Sequence, residues 1–87
     1  MQLKIKLEGE VQGVFFRAYI KKIAKELNLK GYVKNIENNI EIHAKGEKEN
    51  IDKFIASCKI GPNGAKVNNI KVILENETNF KDFTIEY

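Results

Sequence analysis

The segment GEVQGVFFRAY, residues 9–19, carries the residue types best suited to binding an anion. Of the fifteen Lys and Arg residues in the chain, the only Arg is Arg17, and it follows a loop that contains Gly9 and Gly13. A guanidinium group is a planar fork of donors that can bind a phosphate or a carboxylate through two parallel hydrogen bonds, whereas an ammonium group is a point charge. The use of Arg at this one position therefore predicts recognition of such an anion.

The loop before Arg17 is expected to supply further donors. Glycines let backbone N–H groups turn inward, and a helix predicted to begin near Phe16 adds unpaired N–H groups and the positive end of its dipole. The sequence thus predicts a nest for a tetrahedral dianion. No Gly-Lys-Ser/Thr follows, which excludes a Walker A loop. Val11 stands six residues before the Arg, where cysteine phosphatases carry their nucleophile, so water is the expected attacking group.

Asn35, at the end of the segment GYVKN, is the candidate for positioning that water. Alternation places it on the same face as Val33, so it is predicted to point toward packed surface, where an amide needs hydrogen-bond partners. A water or a substrate oxygen would serve as a partner. A turn-capping role before the next hairpin explains the residue equally well, and spacing alone leaves both interpretations open.

The hydrophobic pattern predicts the elements that must position these residues. Alternation typical of strands occupies residues 2–8, 29–36, 39–46, 67–74 and 80–87, and helical spacing occupies residues 16–27 and 47–59. Gly9 is predicted to end the first strand, Asn28 the first helix, and Asn38-Asn39 to form a tight turn. The order predicts an α+β, ferredoxin-like βαββαβ sandwich, with an antiparallel sheet, two helices on one face and a short extra C-terminal strand.

Composition narrows the class of protein. A chain of 87 residues predicts a single domain over residues 1–87, and no apolar run is long enough to span a membrane. The net charge of +3 is scattered over the chain rather than gathered in a basic stripe, so no nucleic-acid partner is expected. An RNA-binding ferredoxin-like domain would also need exposed aromatic residues on its central strands, where this chain has Lys, Glu and His.

The cysteine and histidine content predicts neither a metal site nor a cofactor. Cys58 is alone, so it cannot form an intrachain disulfide, and its helical spacing places it in the core. His43, the single His, lies on the polar side of an alternating strand and is predicted to face solvent. These features suit a cytoplasmic monomer that acts on a small anionic substrate.

Three blocks of the sequence together resemble the acylphosphatase family. They are GEVQGVFFR, then LKGYVKN, then AKGEKENIDKFIASCKIGPNGAKVNNIKV, and the final FTIEY is similar to the closing strand of the family. The resemblance runs from about Gly9 to Val72. Tyr32 stands where the family usually has Trp, and the hairpin after Asn35 is one residue shorter than is common.

The resemblance implies a metal-independent enzyme that hydrolyses the carboxyl–phosphate bond of acyl phosphates. Carried over by position, Arg17 and the loop amides of Gln12, Gly13, Val14, Phe15 and Phe16 would bind the phosphoryl group. Asn35 would hold the attacking water. The alternative is a non-catalytic module that binds phosphate or carbamoyl phosphate, like the acylphosphatase-like domains within larger maturation proteins.

Overall fold

The computed structural model describes residues 1–13 and 15–87, which form five strands and two helices in the predicted order. The strands are β1 (Gln2–Glu10), β2 (Lys30–Ile36), β3 (Asn39–Lys45), β4 (Lys66–Leu74) and β5 (Phe83–Glu86). The helices are α1 (Phe16–Glu26) and α2 (Lys48–Ile60). Neither helix is long and apolar enough to cross a membrane. The ferredoxin-like α+β architecture is confirmed.

The strands form one sheet in the order β4-β1-β3-β2-β5. Strand β1 pairs antiparallel with β3 and β4, and β2 pairs antiparallel with β3, as the βαββαβ order requires. The extra strand β5 adds to the outer edge of β2 in parallel, so the complete sheet is mixed, and not antiparallel throughout as the sequence predicted. This last pairing carries residues 83–86 to the neighbourhood of α1.

Both helices bury their apolar stripes against the sheet. Helix α1 contributes Phe16, Ile20 and Ala24 to the core, and α2 contributes Ile51, Phe54 and Cys58. Cys58 is therefore a core residue, as predicted, and its burial raises the pKa of its thiol, which keeps the group protonated and unreactive.

Strand β1 does not end at Gly9, contrary to the prediction. It continues to Glu10, with a shift of register against β4 between Glu8 and Gly9. Gly9 has a φ of 137°, and a Cβ atom there would lie 2.2 Å from the carbonyl oxygen of Lys66. Glycine is thus required for the close approach to β4 rather than for ending the strand, and the bulge redirects the chain toward the loop before α1.

The β2–β3 hairpin has a two-residue turn, Glu37-Asn38, because Ile36 pairs with Asn39. The positive φ of this turn falls on Glu37, at 55°, and not on Asn38 or Asn39, where the sequence suggested it. A left-handed conformation is unfavourable for a residue with a long side chain. The hairpin that follows Asn35 therefore holds some backbone strain.

His43 is covered, although the sequence predicted that it faces solvent. It lies on the face of the sheet opposite the helices, but its side chain is only 14% exposed because residues 75–80 cross over it. The imidazole stacks on Tyr32 with a centroid separation of 4.6 Å. Its Nδ1 lies 2.7 Å from Glu75 Oε1 and its Nε2 lies 3.1 Å from Glu41 Oε2.

The same crossing segment explains why β5 is shorter than predicted. Alternation suggested a strand from Phe80, but Phe80 packs edge-on against Tyr32 on the outer face, with centroids 6.2 Å apart. Pairing with β2 starts only at Phe83, whose N–H donates to the Asp82 side chain at 2.8 Å. Phe80 therefore packs on the outer face instead of extending the strand.

The outer-face cluster predicts a loss of stability in acid. Burial alone would raise the pKa of Glu41 and of Glu75, but hydrogen bonds from His43 and, for Glu75, from Gln2, with the charge of Lys4, lower both below the ordinary 4.5. A carboxylate with a lowered folded-state pKa stabilises the protein above the unfolded pKa, and this stability disappears as the pH falls through the folded pKa. We expect the free energy of unfolding to decrease below about pH 4.5, less steeply in Glu75→Gln.

Urea denaturation at a series of pH values measures this slope. Glu49→Gln is the matched control, because Glu49 is 83% exposed on α2, and it should leave the slope as in the parent chain. An equal acid slope in Glu75→Gln and in the parent chain would show that the cluster does not contribute.

Candidate active site

A cavity of about 240 Å³ opens where the loop after β1, the start of α1 and the end of β2 meet. Its lining comes from these three segments: Val11, Gln12, Gly13, Phe15, Phe16, Arg17 and Asn35. This volume is below the roughly 300–1,000 Å³ of pockets for drug-sized ligands. The cavity is thus sized for a small ligand.

The loop between β1 and α1 has an unusual backbone conformation. Gly13 has a φ of 78° and Phe15 has φ 58° and ψ 29°, so two positions of the loop are left-handed. Phe15 is also the N-cap residue of α1, where Ser, Thr, Asp or Asn usually accepts a hydrogen bond from the first-turn amides. Phe has no such acceptor, and the first turn contains no acidic residue. The amides and the positive end of the helix dipole are therefore not compensated by a nearby side chain.

Arg17 lies in the first turn of α1, as predicted, and residues 86–87 contact its guanidinium group. Its Nη1 donates to the carbonyl oxygen of Glu86 at 3.4 Å, and its Cζ lies 4.8 Å from the centroid of the Tyr87 ring. Because a guanidinium group has five N–H donors, these contacts leave others to bind a ligand. Strand β5 thus orients Arg17 from 69 residues away in sequence.

Asn35 lies at the cavity, but not against packed surface as the sequence suggested. It shares a face with the buried Val33, yet it is exposed. Within residues 1–13 and 15–87, its side-chain amide makes no hydrogen bond to the protein. An amide exposed beside Arg17 is available to a ligand or to water.

All the predicted site residues that the structure describes line this one cavity. Val14, predicted to belong to the phosphate loop, lies outside the described residues. Three features escaped the sequence reasoning: the buried Val11 in the lining, the side-chain bonds of Gln12, and the contact of Arg17 with residues 86–87. The last two span 25 to 69 residues, so no local pattern could have shown them.

Fold and cavity together define a small α+β domain with a cavity at the start of its first helix, lined by Arg17 and the preceding loop. The family model for acylphosphatase matches residues 3–85. An acylphosphatase of Thermotoga maritima is 41% identical over 86 residues, which is 98% of this chain and 96% of that protein. The crystal structure of acylphosphatase from Bacillus subtilis superposes with a TM-score of 0.95 at 33% identity, covering 99% of this chain and 98% of that one.

A larger protein also contains a related segment. The probable carbamoyltransferase HypF of Methanocaldococcus jannaschii is 52% identical over 59 residues, which is 68% of this chain and 8% of that protein. The match over nearly the full length to proteins of the same size settles the family. This chain belongs to the acylphosphatase family, and it is an enzyme that acts on small-molecule acyl phosphates.

Proposed function

We propose that the chain hydrolyses acyl phosphates by direct attack of water on a phosphoryl group bound by Arg17 and the loop amides. The observation that carries this proposal is that one cavity is lined both by a guanidinium group with an uncapped helix N-terminus and by the exposed amide of Asn35. One side of the cavity would bind the phosphoryl oxygens. The other would bind the attacking water.

The phosphate side is suited to a dianion. Arg17 supplies a formal charge and parallel donors, and the amides of Gly13, Phe15 and Phe16 would supply hydrogen bonds without needing to reorganise. Donors fixed in this way stabilise the charge on the equatorial oxygens in the transition state, where an acyl phosphate needs it most. The volume of the cavity leaves room for a small part of the acyl group.

The water side would work through Asn35. Its amide can accept a hydrogen bond from water and donate one to water, so it would fix the oxygen in line with the scissile bond. The water oxygen forms a bond to phosphorus while the phosphorus–oxygen bond to the acyl group breaks, and the carboxylate leaves with the electron pair. None of the described residues that line the cavity carries a carboxylate or an imidazole that could act as a base, so the proton of the water would pass to a phosphoryl oxygen.

Turnover of benzoyl phosphate in excess EDTA tests this function. We expect rapid hydrolysis that is unchanged by the chelator, because positioning and fixed donors supply the stabilisation and a carboxylate is a good leaving group. Re-addition of Mg²⁺ or Zn²⁺ to a chelator-treated sample is the control. Activity that disappears in EDTA and returns with one of these ions would contradict the metal-independent mechanism.

The alternative is a non-catalytic module that binds phosphate or carbamoyl phosphate, which the family assignment disfavours. Its support is the 52% identity to a segment of a probable carbamoyltransferase. Such a module would bind inorganic phosphate at the cavity without hydrolysing benzoyl phosphate. The same assay, combined with calorimetric titration of phosphate, therefore distinguishes the two functions.

We also propose that the enzyme works as a cytoplasmic monomer with no cofactor. Cys58 supports the location, because a free thiol buried in the core suits a reducing compartment. Light scattering of the purified chain would measure its mass in solution.

A further inference from the structure

The side chain of Gln12 joins the phosphate loop to the β2–β3 hairpin. Its Nε2 donates to the carbonyl oxygen of Glu37 at 2.9 Å and to that of Asn39 at 2.8 Å. Both acceptors are carbonyl oxygens, so the NH₂ end of the amide must face them, and its two hydrogens serve one bond each. These bonds span 25 and 27 residues, so they connect two segments that are otherwise separate in sequence.

The two acceptors belong to the first residue of the turn that follows Asn35 and to the residue just after that turn. Glu37 begins the turn, and Asn39 is the partner of Ile36, the residue directly after Asn35. The turn has a strained φ of 55° at Glu37. A clamp on Glu37 and Asn39 therefore restricts how far Asn35 can move relative to the loop that holds the phosphoryl group.

We propose that Gln12 is a positioning residue that sets the separation between the phosphate loop and Asn35. The inference rests on the proposed function, in which Asn35 aligns the attacking water. Gln12 would act on the alignment of water and not on the affinity for phosphate, because its side-chain donors are occupied by the hairpin. Alignment errors of about 1 Å can cost ~10²-fold in rate, so loosening the hairpin should have a measurable effect on kcat.

Gln12→Met tests the proposal, since Met keeps the length of the side chain and removes both donors. We expect kcat for benzoyl phosphate to fall about tenfold. The inhibition constant for inorganic phosphate, which measures binding to the loop, should stay as in the parent chain. In an Asn35→Ala background the same substitution should change kcat little, because the group that it positions is already gone.

Gln2→Met is the matched control. Gln2 also makes two side-chain bonds, donating to Glu75 Oε1 at 2.6 Å and accepting from the N–H of Thr78 at 2.7 Å, but on the outer face. It should leave kcat unchanged even if it lowers the melting temperature. If Gln2→Met lowers kcat as much as Gln12→Met does, the effect is one of general stability and the proposal is wrong.

Three other outcomes would overturn the inference. An unchanged kcat in Gln12→Met would show that the clamp is irrelevant to the reaction. A loss of phosphate affinity parallel to the loss of kcat would place Gln12 in phosphate binding, and full additivity with Asn35→Ala would show that it acts independently of Asn35. An inactive parent chain would remove the proposed function itself, and this inference with it, whereas the first three outcomes require an active parent.

Discussion

Arg17→Lys is expected to lower kcat/KM for benzoyl phosphate by at least about 10²–10³-fold, the usual cost of losing one preorganised donor, while the fold stays intact. Lys keeps the charge but replaces a planar fork with a flexible ammonium group, so the parallel hydrogen bonds to two phosphoryl oxygens cannot form. It also lacks the planar group that Arg17 places 4.8 Å from the ring of Tyr87, so its orientation is lost as well. The inhibition constant of inorganic phosphate should rise with the loss of rate.

A variant on the same helix that removes a positive charge distinguishes the bidentate geometry of the guanidinium group from its charge. Lys22→Ala removes one positive charge from the exposed surface of α1, whereas Arg17→Lys conserves the charge. If the geometry of the fork matters most, Lys22→Ala should retain nearly full activity and Arg17→Lys should lose it. Similar activity in the two variants would mean that general electrostatic attraction, and not bidentate binding, accounts for the role of Arg17. Circular dichroism of both variants checks that the fold is unchanged.

The elements of this fold could be predicted because each one carries its own periodicity. Leu3, Ile5 and Leu7 alternate because one face of β1 meets the helices, and Phe16, Ile20 and Ala24 recur because one stripe of α1 meets the sheet. Such patterns record which side of an element is buried, and they are local in sequence. They placed the glycine-containing loop before α1 and Arg17 in the first turn of that helix, where the structure has them.

Contacts between distant segments left no such pattern. His43 has the spacing of a solvent-facing residue, and only the passage of residues 75–80 over the outer face covers it. A glycine such as Gly9 is typical of the end of a strand. Only the approach of Lys66 in β4 explains why a glycine is needed inside this strand. Residues that depend on a partner chosen by the tertiary fold are therefore the ones for which sequence reasoning was wrong or silent.

Asn35 illustrates both cases. Its alternation with Val33 correctly gave the face of β2, but burial on that face depends on which tertiary neighbours cover it, and Asn35 is exposed at the cavity. Because Asn35 is exposed, its amide does not need hydrogen-bond partners within the protein. It can instead bind water at the cavity.

Asn35→Ala is expected to reduce kcat by about 10²–10³-fold and to leave the inhibition constant of inorganic phosphate nearly unchanged. Asn35 does not belong to the phosphate loop, so the affinity for the product should survive, while the water loses the group that holds it in line. Because the side chain is exposed and makes no hydrogen bond within the described residues, the free energy of unfolding should change by less than about 0.5 kcal/mol. The turn-capping interpretation predicts the reverse, a loss of stability with an unchanged rate.

Asn38→Ala is the matched control, because Asn38 is an exposed Asn in the turn of the same hairpin that does not line the cavity. It should keep the kcat of the parent chain. Asn35→Asp adds a second comparison, since a carboxylate can still accept from water but places a negative charge beside the bound dianion, so both kcat and phosphate affinity should fall. If instead Asn35→Ala keeps full activity, water is held by other groups, and the proposed alignment of water through Gln12 and the hairpin is excluded together with it.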